Sequence, residues 1–219
     1  QGKLIGKMGS LGFELQNEAN LEILTIEIVK STEIEGEILD REQVRSSIAR
    51  RLGLDISGLV YSERNVDGMV DLMLDATKNY NKELTKERLF SWHASLFPAG
   101  QSGMYKIITG NWRDDSTGPM QVVSGPLGKE KVHYQAPPAA QLENEMRIFF
   151  DWFNLEQRVD PVLKAAIAHL WFVTLHPFED GNGRISRALS DMLLARSDEQ
   201  SYRFYSMSTQ IRKERNSYY

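Results

Sequence analysis

The chain has 219 residues, 41% of them hydrophobic and 26% charged, a composition that suits one globular domain able to bury a real core. Asp and Glu number 30 against 26 Lys and Arg, a formal charge of -4, so there is no basic surplus to grip a nucleic-acid backbone by bulk electrostatics. The absence of cysteine excludes disulfide frameworks, thiolate zinc sites and cysteine nucleophiles and suits a reducing, cytoplasmic setting, and four histidines are too few for a histidine-rich metal cage.

The longest apolar stretch, residues 165–175, is too short to span a bilayer. No signal-peptide pattern opens the chain, so no membrane partner is expected. The chain starts at Gln1 and stops at Tyr218-Tyr219 inside a helical pattern, which reads as a fragment lacking its C-terminal part.

Helical periodicity dominates. Leu21, Leu24, Ile28 and Ile34 form a first stripe that Gly36 should stop, and Asp40 precedes a second with Val44, Ile48 and Leu52. Val66, Met69, Val70, Met73 and Leu74 make a third. Thr85 caps a fourth, which carries Leu89, Trp92, His93 and Leu96 and ends at Pro98 and Gly100. Between Gly100 and Pro138 glycines cluster, and two β-prone runs, Gln121-Val122-Val123 and Lys131-Val132-His133-Tyr134, flank Gly125-Pro126-Leu127-Gly128 as one β-hairpin. Leu142, Met146, Phe149, Phe150 and Phe153 form the next helical stripe. The helix opened by Pro161 is apolar nearly all round, which predicts the buried centre of a bundle. The expected organisation is a mainly α fold with one hairpin: an N-terminal helical extension over residues 1–80 and a core over 81–219.

Chemistry concentrates in residues 176–187. Pro177 ends the apolar helix, Gly181 and Gly183 free the backbone to turn its N–H groups inward, and a new helix begins with Ile185, Ala188, Leu189 and Met192. A glycine loop running into a helix N-terminus favours anions through free N–H groups and the helix dipole. Arg184 and Arg187, three apart, share one face of the first turn as phosphate forks. Asp180 stands where a carboxylate beside phosphates suits Mg²⁺, and His176 titrates near neutrality. By default His93 and His169 are satisfied core or boundary histidines, His133 is exposed on the hairpin, and Asp114-Asp115 forms a turn.

The stretch His176-Pro177-Phe178-Glu179-Asp180-Gly181-Asn182-Gly183-Arg184-Ile185-Ser186-Arg187 resembles the Fic family signature H-P-F-x-D-G-N-G-R-x-x-R at every defined position. The resemblance extends over residues 85–219 and includes a Gly110-x-Trp112-Arg113 segment before the hairpin. It implies transfer of part of a nucleoside triphosphate, most often AMP from ATP, to a Ser, Thr or Tyr hydroxyl of a target protein. His176 would then be the general base, Phe178 an anchor of the loop, and Asp180 the Mg²⁺ ligand. Gly181, Asn182, Gly183 and Arg184 would cradle the α- and β-phosphates, and Arg187 would take the γ-phosphate. Ser124 and Gly125 of the hairpin would face the nucleotide, Tyr218 and Tyr219 resemble a pair near the adenine, and the hairpin resembles the family's flap, on which the target protein docks. Upstream, Ser31-Thr32-Glu33-Ile34-Glu35-Gly36 resembles the family's inhibitory S/T-x-x-x-E-G/N motif, which implies that Glu35 pairs with Arg187 in place of the γ-phosphate. The rival readings are transfer of another nucleotide, phosphate or phosphocholine, removal of AMP, or a regulatory binding module. Retention of Gly183 favours AMP over phosphate. A homodimer is compatible with the sequence, which does not specify one.

Overall fold

The structure, a computed structural model, describes residues 6, 12–55, 57–124, 126, 129, 131–156 and 158–214. Eight helices and two small hairpins occur among them: α1 (Phe13–Ile34), α2 (Arg41–Leu52), α3 (Arg64–Lys78), α4 (Lys86–Leu96), β1 (Gln101–Ser102), β2 (Tyr105–Lys106), β3 (Gln121–Ser124), β4 (Lys131–Gln135), α5 (Ala139–Leu155), α6 (Pro161–Leu175), α7 (Asn182–Asp198) and α8 (Met207–Lys213). The mainly helical fold with a hairpin agrees with the sequence reading.

The caps are local chemistry. Asp40 accepts the Gln43 N–H at 2.9 Å, Thr85 accepts the Arg88 N–H at 3.2 Å, and Asp160 accepts the Val162 N–H at 2.9 Å with Pro161 in the first turn. The first helix stops where Gly36 adopts φ 82, a left-handed conformation that suits glycine.

One hydrophobic core runs from Leu21 on α1 to Leu194 on α7, so the N-terminal helices and the rest share an interior. The centre of that core is α7, in which every residue from 184 to 195 is buried. This corrects the expectation for α6. Only Lys164, Ala165, Ala168, Phe172 and Leu175 of α6 are buried, while Leu163 and Leu170 are 60% and 68% exposed. Periodicity reports how apolar a helix is; which of its faces meets a neighbour is decided elsewhere.

Two further features shape the site. The strands β1 and β2 pair antiparallel, Gln101 with Lys106, in a short hairpin after α4 that the sequence analysis does not predict. The predicted hairpin forms between β3 and β4, with Val122 opposite Tyr134 and a register shift before Val123. It leans on the bundle through the Tyr134 hydroxyl, which donates to the Thr174 carbonyl at 2.8 Å. The segment after α7 folds back on α1: the Arg203 N–H donates to Asn20 Oδ1 at 2.9 Å, and the Ser206 hydroxyl to Glu27 Oε2 at 2.6 Å. These contacts seat α1 with its C-terminal end over the start of α7.

The crossing of α3 and α4 depends on Gly68, where an added Cβ would stand 1.7 Å from the Ser95 carbonyl oxygen. Gly68→Ala is therefore expected to destabilise the protein by about 3 kcal/mol, at the upper end of ordinary overpacking, and to lower Tm by roughly 6–12 °C. Thermal unfolding followed by circular dichroism measures it, and an unchanged Tm would contradict this helix crossing.

Candidate active site

The loop 176–181 is built to be held. His176 ends α6 in the left-handed region, φ 47 and ψ 56, an uncommon place for a non-glycine residue. Phe178 is fully buried, and its ring stacks on His93 with centroids 4.1 Å apart. Asn182 closes the loop: its Oδ1 accepts the Phe178 N–H at 3.0 Å and its Nδ2 donates to the Phe178 carbonyl at 2.8 Å. Its side chain is thus committed inward, so what it can offer an anion is its backbone N–H. Gly181 begins α7 at φ 80, and a Cβ there would meet Phe97 Cε2 at 2.9 Å. Conformation and space both require glycine.

The histidine taken from sequence as a core residue is a structural pin of this loop. His93 is fully buried, accepts the Gly110 N–H at Nδ1 (3.1 Å), and presents Nε2 to the Asp180 carbonyl at 3.2 Å. Since the first contact leaves Nδ1 without a proton, Nε2 carries it and donates. Burial pushes the His93 pKa down to about 4, so the ring stays neutral. Glu179 adds a tie by accepting the Ile108 N–H at 2.6 Å.

The two arginines leave the first two turns of α7 and meet carboxylates from the end of α1. Arg187, 1% exposed, forms an ion pair through Nη2 with Glu35 Oε1 at 2.8 Å and donates from Nε to the Ser31 hydroxyl at 2.8 Å and from Nη2 to the Ser31 carbonyl at 2.8 Å. An added Cβ on Gly183 would stand 2.0 Å from Glu35 Oε1, so the carboxylate lies against the backbone of the helix start. Arg184 donates to Glu37 Oε2 at 2.8 Å, lies 3.8 Å from Asp180 Oδ2, and covers the Phe97 ring at 5.0 Å. Sequence reasoning missed Glu37. The signal was present in the Glu35-Gly36-Glu37 spacing, two carboxylates straddling a turn glycine, opposite two arginines three apart.

Asp180 is 42% exposed in its side chain, accepts the Ser102 hydroxyl from β1, and borders a cavity of about 540 Å³ that Glu35, Glu37, Phe97 and Arg184 also line. A larger cavity of about 630 Å³ lies between α6, α7 and α8, is lined by residues such as Val162, Leu194 and Met207, and contains none of the loop residues. Among the described residues no group of three or more acidic or histidine side chains could hold a metal, and no helix is long and apolar enough to cross a membrane. A single half-exposed carboxylate at the loop edge fits Mg²⁺ in its usual manner, with one or two protein carboxylates and the remaining positions taken by phosphates and water.

His176 Nδ1 lies 3.2 Å from the Val173 carbonyl, which can only accept, so the proton sits on Nδ1 and Nε2 is left as a base. Its pKa is lowered chiefly by burial, with the Arg113 guanidinium adding to the effect and the Val173 carbonyl, Asp180 and Glu35 opposing it. On the hairpin, Ser124 is exposed and bonds to His133 Nε2 at 2.6 Å, so its hydroxyl is directed across the hairpin and not to the loop. Gly125, Tyr218 and Tyr219 lie outside the described residues. The structure therefore unites His176, Asp180, Gly181, Asn182, Gly183, Arg184, Arg187, Ser31 and Glu35 around one helix start.

Residues 83–194 match the model of the Fic/DOC family, and residues 1–54 match a domain of unknown function, DUF4172. A protein adenylyltransferase Fic of Drosophila willistoni is 30% identical over 178 residues, covering 78% of this chain and 32% of its own. Protein adenylyltransferase fic-1 of Caenorhabditis briggsae is 31% identical over 167 residues, covering 75% and 30%. The chain thus spans about a third of the length of these relatives. In fold it is similar to a Fic domain containing signaling protein from Bacteroides thetaiotaomicron, with a TM-score of 0.70 at 20% identity over 97% of this chain and 78% of that one. A Fic family protein from Desulfovibrio desulfuricans gives a TM-score of 0.64 at 24% identity, over 99% and 61%. With a family model covering more than half its length, and with the loop and helix start just described, this chain belongs to the Fic/DOC family.

Proposed function

We propose that the protein transfers AMP from ATP to a hydroxyl of a target protein docked on the β3–β4 hairpin, and that Glu35 restrains the reaction. The carrying observation is the convergence of a base, an anion-binding helix start and two arginines within twelve consecutive residues, in a chain whose relatives are named protein adenylyltransferases. In this reading His176 Nε2 takes the proton of the target hydroxyl as its oxygen bonds to the α-phosphorus. The bond from that phosphorus to the bridging oxygen breaks, and pyrophosphate leaves. The N–H groups at the start of α7 and the side chains of Arg184 and Arg187 hold the phosphates and stabilise the charge that shifts onto them. Asp180 would hold Mg²⁺, which supplies neutralisation of phosphate charge when bound. The exposed hairpin edge offers main-chain hydrogen bonds to an extended target segment and so tolerates varied target sequence. The protein's setting is proposed as cytoplasmic, in keeping with its lack of cysteine.

Incubation with ATP labelled at the α- or the γ-phosphate tests the reaction. AMP transfer leaves α-label on protein; phosphate transfer leaves γ-label; retention of neither, even in a Glu35→Gly variant, would reduce the chain to a binding module.

The pH dependence has a defined sign. The working species is the neutral imidazole, and its pKa is lowered below the ordinary 6.5. Transfer is therefore expected to hold through neutral pH and to fall on the acid side, with a midpoint below that of an ordinary histidine. The rate against pH at saturating ATP measures it. A rate that rises as the pH drops through this range would remove His176 as the base.

A further inference from the structure

We infer that Arg113 is a positioning residue for this transfer, holding the backbone of His176 in its left-handed turn and fixing it to both ends of the β3–β4 hairpin. The inference rests on His176 being the base, and it concerns what places that base relative to the surface that carries the target.

An arginine after a tryptophan in a glycine-rich loop is by default solvated, yet Arg113 is only 3% exposed. Each part of its fork has an acceptor. Nε donates to the His176 carbonyl at 2.7 Å, Nη1 to Asp115 Oδ1 at 2.8 Å, and Nη2 to the Pro137 carbonyl at 2.6 Å. Its own backbone N–H donates to the Pro177 carbonyl at 2.9 Å. Arg113 therefore binds the catalytic loop twice, at consecutive carbonyls.

The other two acceptors belong to the hairpin's supports. Asp115 lies before β3 and also accepts the Ala139 N–H, at 2.7 Å, where α5 begins. Pro137 lies two residues after β4. The hairpin also grips the far side of the base, since the Tyr134 hydroxyl bonds to the Thr174 carbonyl two residues before His176. Target surface and base thus share one rigid frame, and the guanidinium is its joint.

His176 and Glu199 are the only non-glycine residues with positive φ among the described ones. A residue in that region stays there when its surroundings over-determine it. The donor on the His176 carbonyl is such a determinant, and its loss would take away that oxygen's charged partner and leave the turn free to relax. Lysine cannot replace it, because a single ammonium lacks the planar fork that reaches three acceptors in fixed directions. Since the phosphates are held by the start of α7 and its own arginines, loosening His176 should alter the rate and spare nucleotide binding.

The test uses the whole chain in the Glu35→Gly background, with α-labelled ATP and cell lysate as the source of target hydroxyls. Arg113→Lys and Arg113→Gln are expected to lower the rate at saturating Mg-ATP about 10²-fold, the usual consequence of misplacing a reacting group by an ångström. The KM for ATP and the Kd of ATP by titration should stay at the parental values. Asp115→Asn keeps the shape and the Ala139 contact but removes the counter-charge, and it should lower the rate by a smaller factor, again without changing ATP affinity. A folded Arg113 variant with the parental rate would overturn the inference, as would rate and ATP affinity falling together. Should the Arg113 variants not fold, a parental rate for Asp115→Asn overturns it. An active His176→Ala protein would instead defeat the underlying reading of the base, which keeps the two failures distinct.

Discussion

Glu35→Gly is expected to raise AMP incorporation by about 10- to 100-fold, the factor that corresponds to losing a partly shielded ion pair of roughly 1.5–3 kcal/mol, between the values for exposed and buried pairs. Glu35 Oε1 sits 2.8 Å from Arg187 Nη2, and a carboxylate and a phosphate cannot both occupy that side of one guanidinium. The partner's depth makes the effect large: the Arg187 side chain is 1% exposed, whereas an ion pair open to water would contribute only about 0–1 kcal/mol. Arg187 should keep its position in the variant, because Ser31 holds its Nε and Nη2. Glu35 follows the last helical residue of α1, so glycine there removes no turn of helix. The Glu37–Arg184 contact survives the change, but the Glu37 side chain is 41% exposed and should yield to a phosphate. Adding Arg187→Ala to Glu35→Gly should lower the activity again by removing the γ-phosphate's partner. Label incorporation by the parent, both single variants and the double variant, at equal ATP and Mg²⁺, decides the matter. If parent and Glu35→Gly are equally active, Glu35 is simply a charged residue at a helix end.

His176→Ala is expected to reduce transfer by about 10²–10⁴-fold, the usual contribution of a positioned proton acceptor, while ATP binding remains. The imidazole bonds through Nδ1 to the Val173 carbonyl. The anion-binding groups belong to the start of α7, which the substitution does not touch. Calorimetric titration with Mg-ATP in the Glu35→Gly background, beside the labelling assay, separates binding from chemistry. Near-parental transfer by His176→Ala would show that another group takes the proton; a lost ATP affinity would mean that the turn at His176, not its ring, supports the phosphate site.

The parts that depend on near neighbours were legible in the residues alone. Caps at Asp40 and Thr85, the stop at Gly36, the apolar stripes of α1 to α5 and the contiguous loop 176–187 all follow from interactions within a few residues, and each appears as expected. The loop was legible because its residues are local as well: the glycines, His176 and both arginines lie on one short stretch of chain. Features that span long separations were set by how the helices pack. The order of the residues in α6 and α7 does not say which of two apolar helices will be central; α7 is, because α6, α3 and α1 close around it, while Leu163 and Leu170 of α6 stay largely exposed. The pairing of Glu35 with Arg187 was suggested by resemblance, but the burial that gives it strength comes from α1 being clamped over α7 by Asn20 and Glu27. Glu37, His93 and Arg113 went unrecognised as parts of the site because a charged or histidine side chain carries no local sign of its partner. Their meaning is fixed by acceptors that the fold brings within hydrogen-bond reach: Glu37 at Arg184, the His93 ring at the Asp180 carbonyl, and the Arg113 fork at the His176 carbonyl, 63 residues further along the chain.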